Sequence, residues 1–448
     1  MARNKEINRE HRAWYMYDFG NSAYAAVVLL AFYSAYFKGG VVGGAEGSRL
    51  WGISVGIAML VVAIISPVLG AIADFSASKK KFLFIFSSTT WLFTALLFFV
   101  EKGDIFTGML FFILAEIGYR GGQVFYNSLL PEIATPDEIG RVSGKGWAIG
   151  SLGGILALLI LLPPIVLIEG STLPVRLSFP FTALFFALAT IPAYRWIRER
   201  ASAQTLPKGE KYLTIGFKRL SQTFRSVRKF KEFIKFMIAY LIYNDGILMA
   251  LDFAAIIGAV LYGMDQTQII IFMIIVQVAS VIGAYAFAVI GDKVGYKRSL
   301  VYAILGMAAA VTWMLFNYSI TGFFVIGALA GFALTGVQSV SRAMVGMFAP
   351  KGQSAEFFGL FSVVGRTSSF IGPTLYGFLA LWAARWFEQN RSMGNLLAEQ
   401  AGQRVAIASI LIFLFGGLFL LLRVNEKKAI QDANEYSLET NIGASVNA

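Results

Sequence analysis

The stretch Ile290-Gly-Asp292-Lys-Val-Gly295-Tyr-Lys297-Arg298 has an earlier counterpart in Gly70-Ala-Ile-Ala-Asp74, which is followed by Lys79-Lys80-Lys81. Each copy places an acidic residue and then basic residues in a short polar turn between two long apolar runs. The two copies lie 218 residues apart, close to half the length of the chain. This spacing predicts an internal repeat.

Two further landmarks recur in the same order. Pro136 has a counterpart in Pro350, 214 residues later, and Tyr17-Asp18 has one in Tyr243-Asn244-Asp245. The nearly constant shift predicts two parallel six-helix repeats, related by an axis along the membrane normal.

The composition indicates a membrane protein. Of the 448 residues 57% are hydrophobic and 14% charged, whereas soluble domains have about 45–50% apolar and about 25% charged residues. A bilayer-spanning helix needs about 20 mostly apolar residues. Twelve such windows are predicted, at 14–37, 51–73, 82–100, 106–128, 146–168, 179–194, 236–261, 269–290, 299–316, 322–341, 357–384 and 405–422. The fold class is therefore an all-α polytopic membrane protein with twelve transmembrane helices, spans 1 to 12.

Several classes of function are excluded by residues that the sequence lacks. There is no cysteine, and His11 is the one histidine, so disulfides, Cys/His metal sites and a catalytic triad are absent. No phosphate-binding Gly-x-x-x-x-Gly-Lys-Ser/Thr loop occurs. We predict no enzyme activity, no cofactor and no ATP-driven pump formed by this chain alone.

The basic residues predict the orientation. With the N-terminus inside, 29 of the 38 Lys and Arg residues fall in the tails and inside connections and 7 in the outside connections. This asymmetry predicts cytoplasmic termini, and it accounts for the net charge of +12 without nucleic acid. The expected partners are a small solute and membrane lipids, with the protein a monomer.

The longest inside connection predicts the domain boundaries: a lobe at 1–196, a linker at 197–235, and a second lobe with a short tail at 236–448. Apolar residues of the linker recur at helical spacing among basic ones, which predicts an interfacial amphipathic helix. They are Leu213, Phe217, Leu220, Phe224 and Val227.

The acidic and basic turn after spans 2 and 8 resembles the signature loop of the major facilitator superfamily. The first copy, Asp74-Phe-Ser-Ala-Ser-Lys79, lacks the glycine after the aspartate, which predicts a looser turn. Further motifs resemble the autophagy-related vacuolar amino-acid effluxer family and its bacterial relatives. They are Trp14-Tyr-Met-Tyr-Asp18-Phe-Gly-Asn21-Ser-Ala-Tyr24, Tyr126-Asn127-Ser-Leu-Leu-Pro131-Glu132-Ile-Ala, and Ser341-Arg342 with Pro350-Lys-Gly and Glu356-Phe-Phe-Gly359. The resemblance implies a secondary transporter in a bacterial inner membrane, and the activity it implies is amino-acid efflux.

Ionisable residues inside spans are costly and indicate a functional site. In span 4, Glu116 and Arg120 stand four residues apart on one helix face, which Gln123 and Asn127 continue. Two interpretations stay open: a self-neutralising pair, or an arginine that binds a cargo carboxylate while Glu116 handles a proton.

The other candidates lie in spans 1, 7, 8, 10 and 11. Acidic residues in spans 1 and 7 and a second arginine in span 11 are expected to face the cavity with Arg120, and the span 7 acids and Glu116 are the candidates for proton coupling. Caps, gate contacts or polar contacts between helices are the structural alternatives. The residues are Asp18, Asn21, Tyr24, Asn244, Asp245, Asp252, Gln277, Gln338 and Arg366. Gly246 is expected to let span 7 bend or to let it approach a substrate closely.

The turn residues are expected to clamp the cytoplasmic ends and to release them as the lobes rock. They are Asp74, Lys79, Lys80, Lys81, Asp292, Lys293, Lys297 and Arg298. The whole pattern predicts a secondary active or facilitative transporter of a small polar solute, working by alternating access. A transporter-like sensor and a transporter of lipids or other amphiphiles are the alternatives.

Overall fold

The computed structural model describes residues 2–134, 139–168, 171–200, 227–350 and 370–446, with isolated residues at 214, 221, 225, 357, 360–361 and 364–365. Within these ranges the chain is almost entirely helical, and no strand is present. The membrane helices lie close to their predicted positions because each apolar run is long enough to cross the hydrocarbon layer.

The bounds of the spans in chain order are as follows: Ile7–Val42, Gly44–Ser76, Lys79–Phe99, Ile105–Ser128, Ile139–Leu167, Leu173–Trp196, Lys231–Asp252 continued by Ala254–Tyr262, Gln266–Val294, Tyr296–Phe316, Ile320–Phe348, Ile371–Arg391 and Asn395–Leu422. A helix at Glu426–Val446 follows span 12. Among the described helices, eleven are long and apolar enough to cross a membrane. Span 11, Ile371–Arg391, falls short on composition because its last turns are charged, and it packs along spans 2 and 12 in the place of the remaining crossing.

The repeated turns differ by one residue in length. Span 8 connects to span 9 through Gly295 alone, at φ +93°, and span 2 connects to span 3 through Ala77 and Ser78. Ala77 adopts the left-handed conformation at φ +47°, which is unfavourable for a residue with a Cβ. The copy without the glycine therefore makes a turn one residue longer, with backbone strain at Ala77.

Each six-helix repeat has an equivalent contact between its first helix and the chain that follows its sixth helix. Glu10 at the start of span 1 accepts a hydrogen bond from the backbone N–H of Arg198, just after span 6 (3.1 Å). Glu232 at the start of span 7 accepts one from the backbone N–H of Asn425, just after span 12 (2.7 Å). In each half a carboxylate thus ties the first helix to the chain leaving the sixth.

Spans 1 and 7 both depart from regular α-helix. Span 1 contains two π-helical segments, Ala25–Phe32 and Phe37–Val42, a geometry often found at functional sites. Span 7 breaks at Phe253 (φ −107°, ψ 1°). The prediction that Gly246 bends span 7 was wrong, because Gly246 lies within regular helix and packs against Phe413 and Ile410 of span 12.

Two sequence predictions about domain organisation remain predictions. Most of the proposed amphipathic helix of the linker lies outside the described residues, including Leu213, Phe217, Leu220 and Phe224. Val227 is described and is fully buried. The boundary predicted after residue 196 lies at the end of span 6, and the boundary predicted at 236 lies inside the helix Lys231–Asp252.

The two halves meet on one side of the membrane. We call the side on which spans 1 and 7 begin the terminal side, and the side on which they end the far side. Polar bonds join the halves towards the far side: Gln266 Nε2 donates to Ala31 O (2.6 Å), Gln403 Nε2 donates to Ser48 Oγ (2.7 Å), and Lys38 pairs with Glu399. Spans 1 and 7 also contact each other through Tyr33–Tyr36 and Ala254–Tyr262. The structure is therefore closed on the far side.

Closure of the far side requires a residue without a side chain at Gly52. A Cβ at Gly52 of span 2 would overlap the carbonyl oxygen of Pro373 in span 11. We predict that Gly52→Ala opens the far side without unfolding either half, because the overlap lies between the halves. The check is the labelling rate of a cysteine at Ser48, introduced into this cysteine-free chain, by a membrane-impermeant maleimide added on the far side. Gly306→Ala is the matched control because its Cβ would make an ordinary 3.6 Å contact with Ala333; equal rates in the two variants would contradict the prediction.

Candidate functional site

The span 4 pair predicted from its spacing is formed and buried. Arg120 Nε donates to Glu116 Oε1 at 2.6 Å, and the Glu116 side chain is inaccessible while that of Arg120 is 20% exposed. Tyr24 of span 1, also fully buried, donates its hydroxyl to the other oxygen, Glu116 Oε2, at 3.1 Å. Both oxygens of Glu116 are therefore held inside the N-terminal half.

Asp252 approaches this pair from the other half. The charges of Arg120 and Glu116 both act on the Asp252 carboxylate, which is the last residue of Lys231–Asp252 and is 3% exposed. Its Oδ2 atom has no hydrogen-bond partner. A buried carboxylate oxygen without a partner is unfavourable, so Asp252 is ready to accept a cation, a proton or an N–H donor.

The surface leading to this site opens on the terminal side. Along the face predicted for span 4, exposure rises from Glu116 through Arg120 and the half-buried Gln123 to the exposed Asn127. Gln123 lies beside the Tyr119 hydroxyl. The ring of Tyr119 packs against that of Tyr24, with centroids 4.6 Å apart and a tilt of 30°. A polar face whose exposure increases towards one membrane side indicates a water-filled entrance rather than contact with lipid.

Asp18 occupies a separate place nearer the terminal side. Its carboxylate lies against Gly150 of span 5, where a Cβ would be 2.7 Å from Oδ2, and beside the Asn21 side chain. Arg342 of span 10, in the other half, is the cation that acts on it. Asn21 Oδ1 is buried without a partner. The structure thus places Asp18 beside the seam but does not bring it to Glu116.

The remaining span 7 candidates contact their own half. The Gln338 amide donates to Asn244 Oδ1 at 2.8 Å, joining spans 10 and 7. Asp245 is 1% exposed, and the backbone N–H of Gly372, in the first turn of span 11, approaches its carboxylate. A carboxylate at a helix N-terminus is stabilised there. These contacts favour the structural alternative for Asn244 and Gln338, whereas Asp245 Oδ1 is buried without a hydrogen-bond partner.

Gln277 lies on the seam. Its Oε1 approaches Gly154 of span 5, where a Cβ would be 2.9 Å away, and its Nε2 is buried without a partner. Span 5 packs closely through Gly146, Gly150 and Gly154, with Gly146 against Trp14 of span 1. Arg366, the second predicted cation, lies outside the described residues.

The turn residues make their described contacts within one half. Lys79 donates to Glu132 at 2.8 Å, and Lys297 donates to the Leu422 and Val424 carbonyls at 2.9 and 2.7 Å. The Asp292 carboxylate accepts a hydrogen bond from the Tyr296 hydroxyl, and the backbone N–H of Lys80 donates to Glu199. The exposed turn residues are Lys81, Lys293 and Arg298, and the Asp74 side chain lies outside the described part. Their role as a clamp between halves stays a prediction.

The site also contains residues that sequence reasoning missed. Trp51 is fully buried, and its indole N–H donates to the backbone carbonyl of Asp252 at 2.8 Å. Arg342 was noted only as part of a motif, and Tyr119 was not noted. Neither Trp51 nor Tyr119 is unusual in an apolar helix, so nothing in the sequence distinguishes them as site residues. Arg342 could have been identified as a candidate, because it is an arginine next to a predicted span.

Comparison with known proteins assigns the chain to a family. Residues 51–434 match the family described as "Vacuole effluxer Atg22 like". The chain belongs to this family. The Atg22-like match confirms the resemblance inferred from the motifs, and it covers all but the first span and the end of the tail.

Relatives of this Atg22-like chain include a bacterial and several fungal proteins. It is 28% identical over 382 residues to an uncharacterised MFS-type transporter, YxiO, of Bacillus subtilis, covering 83% of this chain and 88% of that protein. It is 27% identical over 270 residues to autophagy-related protein 22 of Yarrowia lipolytica, covering 53% and 45%. The chain spans about half the length of such fungal relatives.

Solved structures share the fold of this Atg22-like protein. A bacterial homologue of the human lysosomal transporter Spinster, in an inward-facing, unoccupied conformation, matches with a TM-score of 0.69 at 13% identity over 96% of this chain and 98% of that one. The nucleoside transporter NupG matches with a TM-score of 0.67 at 11% identity, over 92% and 99%. The predicted twelve-helix major facilitator fold is confirmed, and the protein is a multi-pass membrane transporter of that type.

Proposed function

We propose that this protein exports a small zwitterion of the amino-acid class by alternating access. The observation that carries the proposal is that Arg120, held by Glu116 in one half, and the buried Asp252 carboxylate of the other half lie within range of each other's charge. A positive and a negative group on opposite halves match the two charges of an amino acid. A cargo that pairs with both groups links the halves, which is the requirement for a site that controls their rocking.

The chemistry assigns one role to each group. The Arg120 guanidinium has five N–H donors in a planar fork and binds a carboxylate in two parallel hydrogen bonds. The unpartnered Oδ2 of Asp252 accepts from the cargo ammonium. Tyr24 and Glu116 keep the guanidinium in place. The family description as an effluxer supports export of such a cargo.

The direction follows from the charge distribution and the open side. The excess of Lys and Arg in the predicted inside segments favours cytoplasmic termini, so the terminal side is the cytoplasmic side. The conformation described here then opens to the cytoplasm and is closed outside, the state that loads cargo for export. The bacterial relative favours the plasma membrane.

Proton coupling is proposed at the same cluster. Glu116, Asp245 and Asp252 are buried carboxyl groups in spans. The single positive charge of Arg120 neutralises only one of the two acids Glu116 and Asp252, so one proton can neutralise the other. Protonation of Asp252 would release both Arg120 and a cargo ammonium. This coupling distinguishes active efflux from facilitated exchange of the same cargo.

The function is tested by counterflow in proteoliposomes. Vesicles containing the full chain are loaded with mixed unlabelled amino acids, and the uptake of each labelled amino acid is followed. We expect transient accumulation of at least one of them, because exchange needs no energy source. Flat traces from folded protein would remove amino acids as the cargo class and leave sugars, organic ions, amphiphiles and the sensor alternative.

A further inference from the structure

Trp51 of the N-terminal half makes a direct hydrogen bond to residue 252 of the other half. It lies near the start of span 2 with its ring packed against Phe112 (centroids 4.5 Å apart) and its indole N–H aimed at the Asp252 carbonyl across the seam. The residues that follow Trp51 and Asp252 also lie close together, since a Cβ at Gly52 would lie 3.3 Å from the Phe253 ring.

The break in span 7 explains why this carbonyl needs a donor. The last carbonyls of an α-helix have no partner within the helix, and the regular helix ends at Asp252. Phe253 turns away and packs against Tyr376 of span 11, with ring centroids 4.0 Å apart. Trp51 therefore supplies, from the other half, a hydrogen bond that the end of this helix requires.

We propose that Trp51 is a positioning residue that couples closure of the far side to the charge site. While the far side is closed, its bond holds residue 252 with the carboxylate within range of the Arg120 charge. When the halves separate on the far side, span 2 moves away from span 7, the bond is lost, and Asp252 leaves Arg120. Cargo bound between Arg120 and Asp252 thereby favours the closed far side, and opening releases it outward.

The inference rests on the proposed rocking of the halves, but its test needs no known cargo. Ser48→Cys is introduced into this cysteine-free chain, since Ser48 is fully buried at the far-side seam. Right-side-out membrane vesicles are treated with an impermeant maleimide. Trp51→Phe, which keeps an aromatic ring and removes the N–H, should raise the labelling rate about 2- to 12-fold, the range for one net hydrogen bond.

Trp91→Phe is the matched control. The Trp91 indole nitrogen is buried without a partner, so this change removes an N–H that makes no bond, and it should leave the rate unchanged. Equal rates for Trp51→Phe and Trp91→Phe would overturn the proposal. If Trp51→Phe does not fold, Trp51→Leu, which also lacks a donor, must give the same increase, and failure of Trp51→Leu to do so also overturns it.

A double-mutant cycle separates positioning from simple packing. Asp252→Asn removes the charge that Arg120 attracts, so it should raise labelling by itself and reduce the further effect of Trp51→Phe. Strictly additive effects would show that Trp51 does not act through Asp252. Amino-acid counterflow that fails while this coupling holds would refute the cargo class alone.

Discussion

We expect Arg120→Gln to suppress counterflow while the protein remains folded. Glutamine keeps an N–H donor of similar length but removes the charge that the cargo carboxylate and Asp252 recognise. Loss of one partner in a buried, hydrogen-bonded charge pair costs about 2–5 kcal/mol, so we expect the initial exchange rate to fall by about 30-fold or more. Glu116 can take up a proton and retain its hydrogen bond from Tyr24, which preserves the N-terminal half.

The matched control is Arg195→Gln. Arg195 lies in the last turn of span 6 and is exposed, so its loss should leave exchange unchanged. Gel filtration and the thermal transition of each variant check folding. Exchange by Arg120→Gln at the wild-type rate would refute the assignment of Arg120 to the cargo carboxylate.

Lys38→Met is expected to open the far side. The Lys38–Glu399 pair joins spans 1 and 12 with both side chains about nine-tenths buried. Breaking a buried pair by removing one partner costs about 3–5 kcal/mol, because the other charge stays uncompensated. The protein avoids this cost by separating the halves and hydrating Glu399. The labelling rate of Ser48→Cys should therefore rise by more than in Trp51→Phe, and exchange should fall.

The double variant Lys38→Met with Glu399→Gln tests the reason for this effect. Neutral residues at both positions remove the uncompensated charge, so most of the closed population should return. The ion pair of Arg176 with Glu101 joins span 6 to the connection between spans 3 and 4 within one half, and Arg176→Met is the control that should not change labelling. A Lys38→Met variant with wild-type labelling would show that this pair does not close the far side.

The charge site was partly predictable from sequence. Glu116 and Arg120 were paired correctly because residues four apart on a helix lie on the same face, whatever the surroundings. The partner of Asp252 was not predictable, because it lies on another helix of the other half. Asp245 shows the opposite case: its sequence position resembles that of Asp18, yet its carboxylate meets the backbone of span 11.

Helix irregularities were predicted least well. A glycine suggested a bend at Gly246, but glycine in a helix also permits close packing, and the contact with span 12 favours that outcome. The break at Phe253 has no signal in its own sequence. It is stabilised by Trp51 and Tyr376, which come from spans 2 and 11.

The number of spans, the internal repeat and a prediction of orientation follow from the sequence because they depend on apolar length, motif spacing and basic residues between spans, which are local properties. The alignment of charges across the seam, the closed far side and the contact of Trp51 with residue 252 were decided only in the tertiary structure. Each depends on which faces of distant helices meet, and that is set by side-chain packing over the whole bundle.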